Sequence, residues 1–309
     1  MREYKIVNDN QDVIPYHYYE HNGEGTAIGT VIVVHGGAFV AGHIKSLRHV
    51  CTALNNNGFD AIAVTYTLSV IDCNILRYTI VSLSVIASAL ACITSTRVSI
   101  TILIVALFLV VLLTVLLLQL DDHDRYKHPR HVRDVSQTLA HIVSNQNICT
   151  NNLHIIGHSA GAYIVALLAA DKQYLADVGV SKHSIQTYIC LSGVYSRDAI
   201  PLQRLMLRSI FEMTQDEDVD SAMPITHIHK GMQPMLLINC SGDIFLNQHA
   251  LNFHEDMKAN NNECKLIYTD SRHHCNIHHD LETVNSDVLD EMILFLDVHS
   301  TNKIQDSNT

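Results

Sequence analysis

Charge is scarce in this sequence, and basic charge is scarcest. Lysine and arginine total 20 against 31 aspartates and glutamates, a formal −11 with histidine neutral. That balance lacks the basic footprint of a phosphate-binding surface, so no nucleic-acid partner is expected. Only 17% of residues are charged and the mean hydropathy is +0.13, which excludes a disordered chain. Cys-x-x-Cys pairs are absent, and the cysteines at 51, 73, 92, 149, 190, 240, 264 and 275 follow no regular spacing. The opening MREYKIVNDNQDV has no apolar core of a secretory signal. These absences lead to the expectation of a reducing compartment with the thiols free. Internal repeats and a His-Glu-x-x-His motif are also missing.

Histidine, by contrast, is plentiful, at 21 residues. Metal ligation needs convergent geometry and usually three protein donors. The pairs His227 and His229, His274 and His278, and His278-His279 are therefore not read as metal ligands; one of them is needed below as a catalytic base, and the rest are read as solvated polar residues. Gln215 to Asp220 is acidic but lacks the glycine and terminal glutamate of a calcium loop. No metal and no cofactor are expected.

Strand and helix patterns alternate along the chain. Apolar runs of strand length occur at Thr30 to Val34, Ala61 to Val64, Leu153 to Ile156, Thr187 to Leu191, Met235 to Asn239 and Lys265 to Tyr268. Helical spacing occurs at Ser46 to Leu54, Pro129 to Val143, Ala160 to Ala170, Asn247 to Met257 and Ser286 to Val298. Buried strands alternating with helices predict an α/β fold, a mostly parallel sheet with helices on both faces. In such sheets chemistry sits at the C-terminal strand ends. Arg197 to Pro224, which holds Leu202, Leu205, Met206, Leu207, Ile210 and Phe211, reads either as a lid over an acyl pocket or as a surface helix.

Gly157-His158-Ser159-Ala160-Gly161 follows the strand LHII and opens an apolar helix. That is the context in which G-x-S-x-G exposes a serine hydroxyl on a tight strand-to-helix turn. His35-Gly36-Gly37-Ala38-Phe39 ends an earlier strand, and its glycines free N–H groups to face a developing oxyanion. The oxyanion candidates are the N–H groups of Gly36, Gly37, Ala38 and Ala160, with His35 ordering the loop. A serine nucleophile needs a base, and the base needs an acid to orient it. Asp243 directly follows the strand MLLIN, and His274 follows the last strand, with His273 the neighbour still open as the base. The candidate triad is Ser159, Asp243 and His274.

On these motifs the chain resembles the α/β-hydrolase superfamily, in the esterase and lipase branch with an HGG oxyanion motif. That branch includes kynurenine formamidases, prenylcysteine methylesterases and carboxylesterases. The resemblance is carried by VIVVHGGAFVAG, AVTYTLS, KHPRHVRDVSQTLAHI, LHIIGHSAGAYIVALLAA, CLSGVYS, PMLLINCSGD and SRHHCNI. It implies a serine hydrolase acting on a small-molecule carboxylic ester through an acyl-enzyme, and the membrane anchor expected below favours a lipophilic or small acyl substrate. An aryl formamidase is the enzymatic alternative, and a non-catalytic membrane protein on the hydrolase scaffold is the other. The sequence departs from the family pattern in two places. Tyr66-Thr67-Leu68-Ser69 is separated from His128-Pro129-Arg130-His131 by a long insert, and Cys275 follows His274 where an aromatic or aliphatic residue is usual.

The insert, residues 70–120, contains one Asp, two Arg, no Gly and no Pro. Val98 to Leu120 is uncharged; at about 1.5 Å per residue it reaches roughly 34 Å, against a hydrocarbon core of about 30 Å. Tyr78 to Thr96 is a second uncharged stretch, with Arg97 between the two. Strands on either side must share one sheet, so the insert is expected to cross a membrane twice, turning near Thr94 to Arg97. Lys45, Arg48, Arg125, Lys127, Arg130 and Arg133 flank it. By the positive-inside rule they put the catalytic domain in the cytosol, with membrane lipid as partner of residues 70–120. A buried hydrophobic hairpin, a loop that dips into the membrane, or non-native sequence are the other readings. The expected organisation is 1–69 and 121–299 as one α/β-hydrolase domain, 70–120 as the insert and 300–309 as a disordered tail.

Overall fold

The computed structural model describes residues 1–69, 127–196, 216–269, 274 and 287–301. The chain divides into two compact units, residues 1–68 with 128–309, and residues 69–127. The elements and the site below belong to the first.

Eight strands form one sheet: β1 (Arg2–Val7), β2 (Val13–Tyr19), β3 (Thr30–Val34), β4 (Asp60–Val64), β5 (Leu153–His158), β6 (Ile185–Leu191), β7 (Met235–Cys240) and β8 (Cys264–Thr269). Their order across the sheet is β1-β2-β4-β3-β5-β6-β7-β8. β1 pairs antiparallel with β2, and β2 antiparallel with β4. All other pairs are parallel. β3, β4, β5 and β7 are buried along their whole length, which is why they read as continuous apolar runs. β1 and β2 do not stand out in that way. They form the pair at the sheet edge: β1 is mostly exposed, and β2 carries Pro15 and a histidine, His17, within its run.

Seven helices accompany the sheet among the described residues: α1 (Arg48–Asn56), α2 (Arg130–Ser144), α3 (Ala160–Ala170), α4 (Lys172–Ala176), α5 (Asp216–Ser221), α6 (Ile244–Ala259) and α7 (Asp287–Thr301). α2 buries Val132, Val135, Leu139 and Ile142, the stripe expected from its spacing. α3 is apolar all round, and every residue in it except Ala169 is buried. It therefore occupies the centre of the molecule rather than its surface. The chain runs from β3 out to β4 on one side and returns to β5 on the other. That reversal opens a crevice beyond the carboxyl ends of β3 and β5.

Some expectations need correction. A membrane crossing needs about 20 apolar helical residues. α6, the longest described helix, has 16 residues, about 24 Å at 1.5 Å each. Among the described residues no helix is long and apolar enough to cross a membrane. The two-span placement, with its cytosolic domain and its lipid partner, is withdrawn. The insert at 70–120 on which it rested lies outside the described residues, as does 197–215 of the segment read as either a lid or a surface helix. The acidic run is helical from Asp216, with Val219 buried. Ser300, assigned from the sequence to the tail, is buried in α7, where its hydroxyl meets His154 Nε2 at 3.0 Å.

Candidate active site

β5 ends at His158, and Ser159 turns the chain into α3 with φ 53° and ψ −114°. Two backbone bonds hold that conformation. The Ser159 N–H donates to the Leu191 carbonyl at 2.8 Å, and the Tyr163 N–H donates to the Ser159 carbonyl at 3.0 Å. The flanking glycines are required by close approach. A Cβ on Gly161 would press into the backbone oxygens of Val34 and His35, and one on Gly157 into the backbone of Gly161. β5, α3 and the end of β3 thus interlock with no room for side chains, and the serine hydroxyl is left at the crevice.

Asp243 and His274 reach it from separate parts of the chain. His274 Nδ1 lies 2.6 Å from Asp243 Oδ2, and His274 Nε2 lies 3.0 Å from Ser159 Oγ. A carboxylate only accepts, so His274 Nδ1–H donates to Asp243. In the neutral ring Nε2 then carries the lone pair and accepts the Ser159 O–H. Asp243 is the N-cap residue of α6, yet its side chain makes no capping bond. The carboxylate is directed to His274, at the helix end where the dipole favours negative charge. Its side chain is 14% exposed and that of His274 33%.

The loop after β3 is wound unusually. Gly37 has φ 119°, and two residues that carry side chains, Ala38 and Phe39, have φ 53° and 65°. Such a conformation is costly and persists only where the surroundings over-determine it. Val40 and Ala41 N–H groups both donate to the Gly37 carbonyl, at 3.1 and 2.8 Å. Phe39 is buried against Tyr66, His131 and Tyr163, with ring centroids 6.4, 5.0 and 5.3 Å away. His35 clamps the base of the loop. Its Nδ1–H donates to the Gly36 carbonyl at 2.7 Å, and its Nε2 accepts from Thr65 Oγ1 at 2.8 Å. The Tyr66 hydroxyl donates to the His35 carbonyl at 3.2 Å, and the two rings stack at 4.5 Å. Burial pushes His35 below the usual histidine range, chiefly by desolvation, so it sits neutral and fully engaged. None of the backbone bonds that wind this loop uses the N–H of Gly37 or Ala38.

A cavity of about 510 Å³ opens here, lined by Gly36, Gly37, Ala38, Val40, Ala41, Leu47, His158, Ser159 and His274 among others. Sequence reasoning picked out Ser159, Asp243, His274, Gly36, Gly37, Ala38 and Ala160, and the structure brings the serine, the acid and His274 into one hydrogen-bonded chain. His273, the other base candidate, lies outside the described residues, as do His278 and His279. His227 Nε2–H donates to the Ser221 carbonyl at 2.7 Å, a local bond. Among the described residues no group of three or more His, Cys, Asp or Glu is arranged to hold a metal.

Two contacts escaped the sequence. His158 Nε2–H donates to the main-chain carbonyl of His274 at 2.8 Å; it occupies the unspecified position of G-x-S-x-G, where the pattern says nothing about direction. Asp134, on α2, accepts from the Thr67 N–H at 2.8 Å and from Asn8 Nδ2 at 2.7 Å, and also from the Thr67 hydroxyl. It pins the segment after β4 to the β1–β2 turn.

The model of the prolyl oligopeptidase family matches residues 121–301, more than half of the 309-residue chain. Among solved structures, an esterase of Pyrobaculum calidifontis superposes with a TM-score of 0.65 at 15% identity, over 96% of this chain and 85% of its own. The carboxylesterase EstE1, cloned from a metagenomic library, gives 0.62 at 13% identity, over 97% and 87%. A thermostable esterase from Pseudomonas putida ECU1011 gives 0.64 at 13%, over 97% and 83%. At these identities the likeness is one of fold. No curated protein matches the chain. With the eight-stranded sheet, the serine turn and the matched segment together, the chain belongs to the prolyl oligopeptidase family, a serine hydrolase family of the α/β-hydrolase superfamily.

Proposed function

We propose that this protein hydrolyses a carboxylic ester through an acyl-enzyme formed on Ser159. The observation that carries the reading is the continuous chain from Ser159 Oγ to His274 to Asp243, with the imidazole in the tautomer that can accept the serine proton. In the first step Ser159 Oγ bonds to the acyl carbon while His274 Nε2 takes its proton. The negative oxygen of the tetrahedral intermediate is met by N–H groups drawn from Gly36, Gly37, Ala38 and Ala160. Collapse breaks the acyl–oxygen bond, and His274 returns the proton to the departing alcohol. Water then attacks the acyl-enzyme with His274 again as base, releasing the acid and restoring the serine. Asp243 keeps the ring oriented and stabilises the imidazolium without itself becoming protonated. The apolar wall of Val40, Ala41 and Leu47 supports a small or lipophilic acyl group.

The family match favours a second reading, hydrolysis of a peptide bond by the same residues. The two separate on substrates. A short-chain p-nitrophenyl ester and a prolyl-containing p-nitroanilide are compared in purified protein, beside labelling by a fluorophosphonate. Turnover of the ester with labelling at Ser159 supports the first reading, and preference for the anilide the second. A folded protein that is not labelled overturns both.

A further inference from the structure

We propose that His158 is a positioning residue for the base, setting where His274 stands relative to Ser159; this rests on the role given to those two residues above. His274 lies beyond the end of β8, where it must be held in line with Ser159 Oγ. Its main chain is anchored by the bond from His158 Nε2–H to the His274 carbonyl, at 2.8 Å. A carbonyl only accepts, so Nε2 of His158 must carry hydrogen. The two rings lie 5.4 Å apart at 41°.

On its other side the His158 ring has little freedom. A Cβ on Gly36 would stand 2.7 Å from His158 Nδ1, so the ring fills the space next to the glycine loop. His158 is 9% exposed and belongs to β5, whose backbone is locked into the sheet. One imidazole therefore bridges a rigid strand, the glycine loop and the main chain of the base. Through it, the position of His274 Nε2 is referred to the same strand that carries Ser159. Its bond is to the main chain of His274, so its effect on the serine runs through the base.

Removing the donor should misplace the base; because His158 also lines the cavity, both variants change that wall, and the comparison rests on the donor that only one of them keeps. The experiment compares His158→Met with His158→Gln, side chains of similar length of which only glutamine donates. A fluorophosphonate supplies the maximal labelling rate and the binding constant separately. Loss of the donor in His158→Met should slow maximal labelling roughly 10- to 100-fold, the effect of a base held about 1 Å out of line, with any change in the binding constant shared by His158→Gln. His158→Gln should recover most of that rate. Equal rates in the two variants, or a Met variant as fast as wild type, overturn the proposal. Should the Met variant fail to fold, the tautomer in the wild-type chain decides: ¹⁵N NMR should find hydrogen on Nε2 of His158, and an Nδ1–H tautomer overturns the proposal as well. Absence of labelling in the wild type would instead strike the reading of Ser159 itself, and the NMR result would still stand on its own.

Discussion

Two serines stand just past the ends of neighbouring parallel strands, Ser159 after β5 and Ser192 after β6. Both have left-handed φ, 53° and 48°. Both donate their N–H across to the next strand's carbonyl, Ser159 to Leu191 and Ser192 to Ile238. Yet Ser159 faces a cavity and a histidine. Ser192 is wholly buried, and its hydroxyl has no partner among the described residues. Backbone strain beside a strand end therefore does not make a site. What differs is the surroundings: β5 is followed at once by α3, which lifts the hydroxyl into the crevice, and α6 and the segment after β8 bring Asp243 and His274 to it.

The largest effect should separate the two serines outright. Ser159→Ala is expected to lower ester hydrolysis about 10⁴- to 10⁶-fold and to abolish fluorophosphonate labelling. Ser192→Ala should keep the rate within about twofold, since its hydroxyl touches nothing in the site. Rates measured side by side at one pH suffice, and comparable losses in both would remove the distinction. Next comes Asp243→Asn, expected to cost about 10⁴-fold, because an amide can hold His274 with the hydrogen on the wrong nitrogen. A loss under tenfold would mean that Asp243 is not what orients the ring.

The adjoining glycines sharpen the contrast at a smaller scale. A Cβ on Gly36 would meet His158 Nδ1 at 2.7 Å, the His158 carbonyl at 2.9 Å and Ser159 Cβ at 3.1 Å. A Cβ on Gly193, after β6, would meet the Tyr195 ring instead, at 2.5 to 2.6 Å. Both alanine variants should lose about 1–3 kcal/mol of stability from overpacking. Only Gly36→Ala should also lose activity, about 100-fold, because the displaced atoms belong to the site. Urea unfolding and ester kinetics on the two variants give the answer, and equal activity losses would count against it.

Much of the α/β fold was legible because the central strands are buried on both faces and so read as unbroken apolar runs. The candidate site, Ser159 bonded to His274 and His274 to Asp243, was legible because each member follows a strand, in the order serine, acid, histidine. β1 and β2 escaped because β1 is mostly exposed and so polar, and Pro15 and His17 mask the apolar run of β2. The loop after β3 was legible through Gly36 and Gly37, but its left-handed Ala38 and Phe39 were not, since neither residue type signals positive φ. His158 was hidden for a different reason. Its partner is a main-chain carbonyl more than a hundred positions away, and no side-chain pattern encodes that.

A smaller effect comes from the bond joining β5 to β6. His154, inside β5, contacts Thr187 Oγ1 of β6 at 2.8 Å. Burial drives it down to about 3, and it drives His128 to about 3 and His131 to about 4 as well, with the nearby Arg133 adding to His128 and Arg130 to His131. All three stay neutral when folded but gain a proton near 6.5 once unfolded. Their contribution is complete above pH 6.5 and is lost as pH falls toward the folded values. Each should remove up to about 1.4 kcal/mol per pH unit in that window. Unfolding free energies at pH 7.0, 6.0 and 5.5 should therefore decline, and His154→Gln should shallow the slope by close to one proton. An unchanged slope in that variant would mean His154 is not buried neutral.

The smallest effect bears on the turn that is not a site. At φ 48° a serine pays a strain of about 1–3 kcal/mol, and glycine escapes it while losing about 0.5–1 kcal/mol to unfolded-state freedom. Ser192→Gly also removes a buried hydroxyl with no described partner. A gain of up to about 1 kcal/mol is expected in urea unfolding, with ester turnover unchanged. A variant that loses stability instead would show that the hydroxyl is bonded after all. The remaining outcome, a more stable protein with slower turnover, would be instructive in another way. Leu191, immediately before Ser192, supplies the carbonyl that holds the Ser159 N–H, so relaxing one turn would then have moved the other. Strain at Ser192 would in that case be part of what holds Ser159 in place, and the two turns would be one device rather than two.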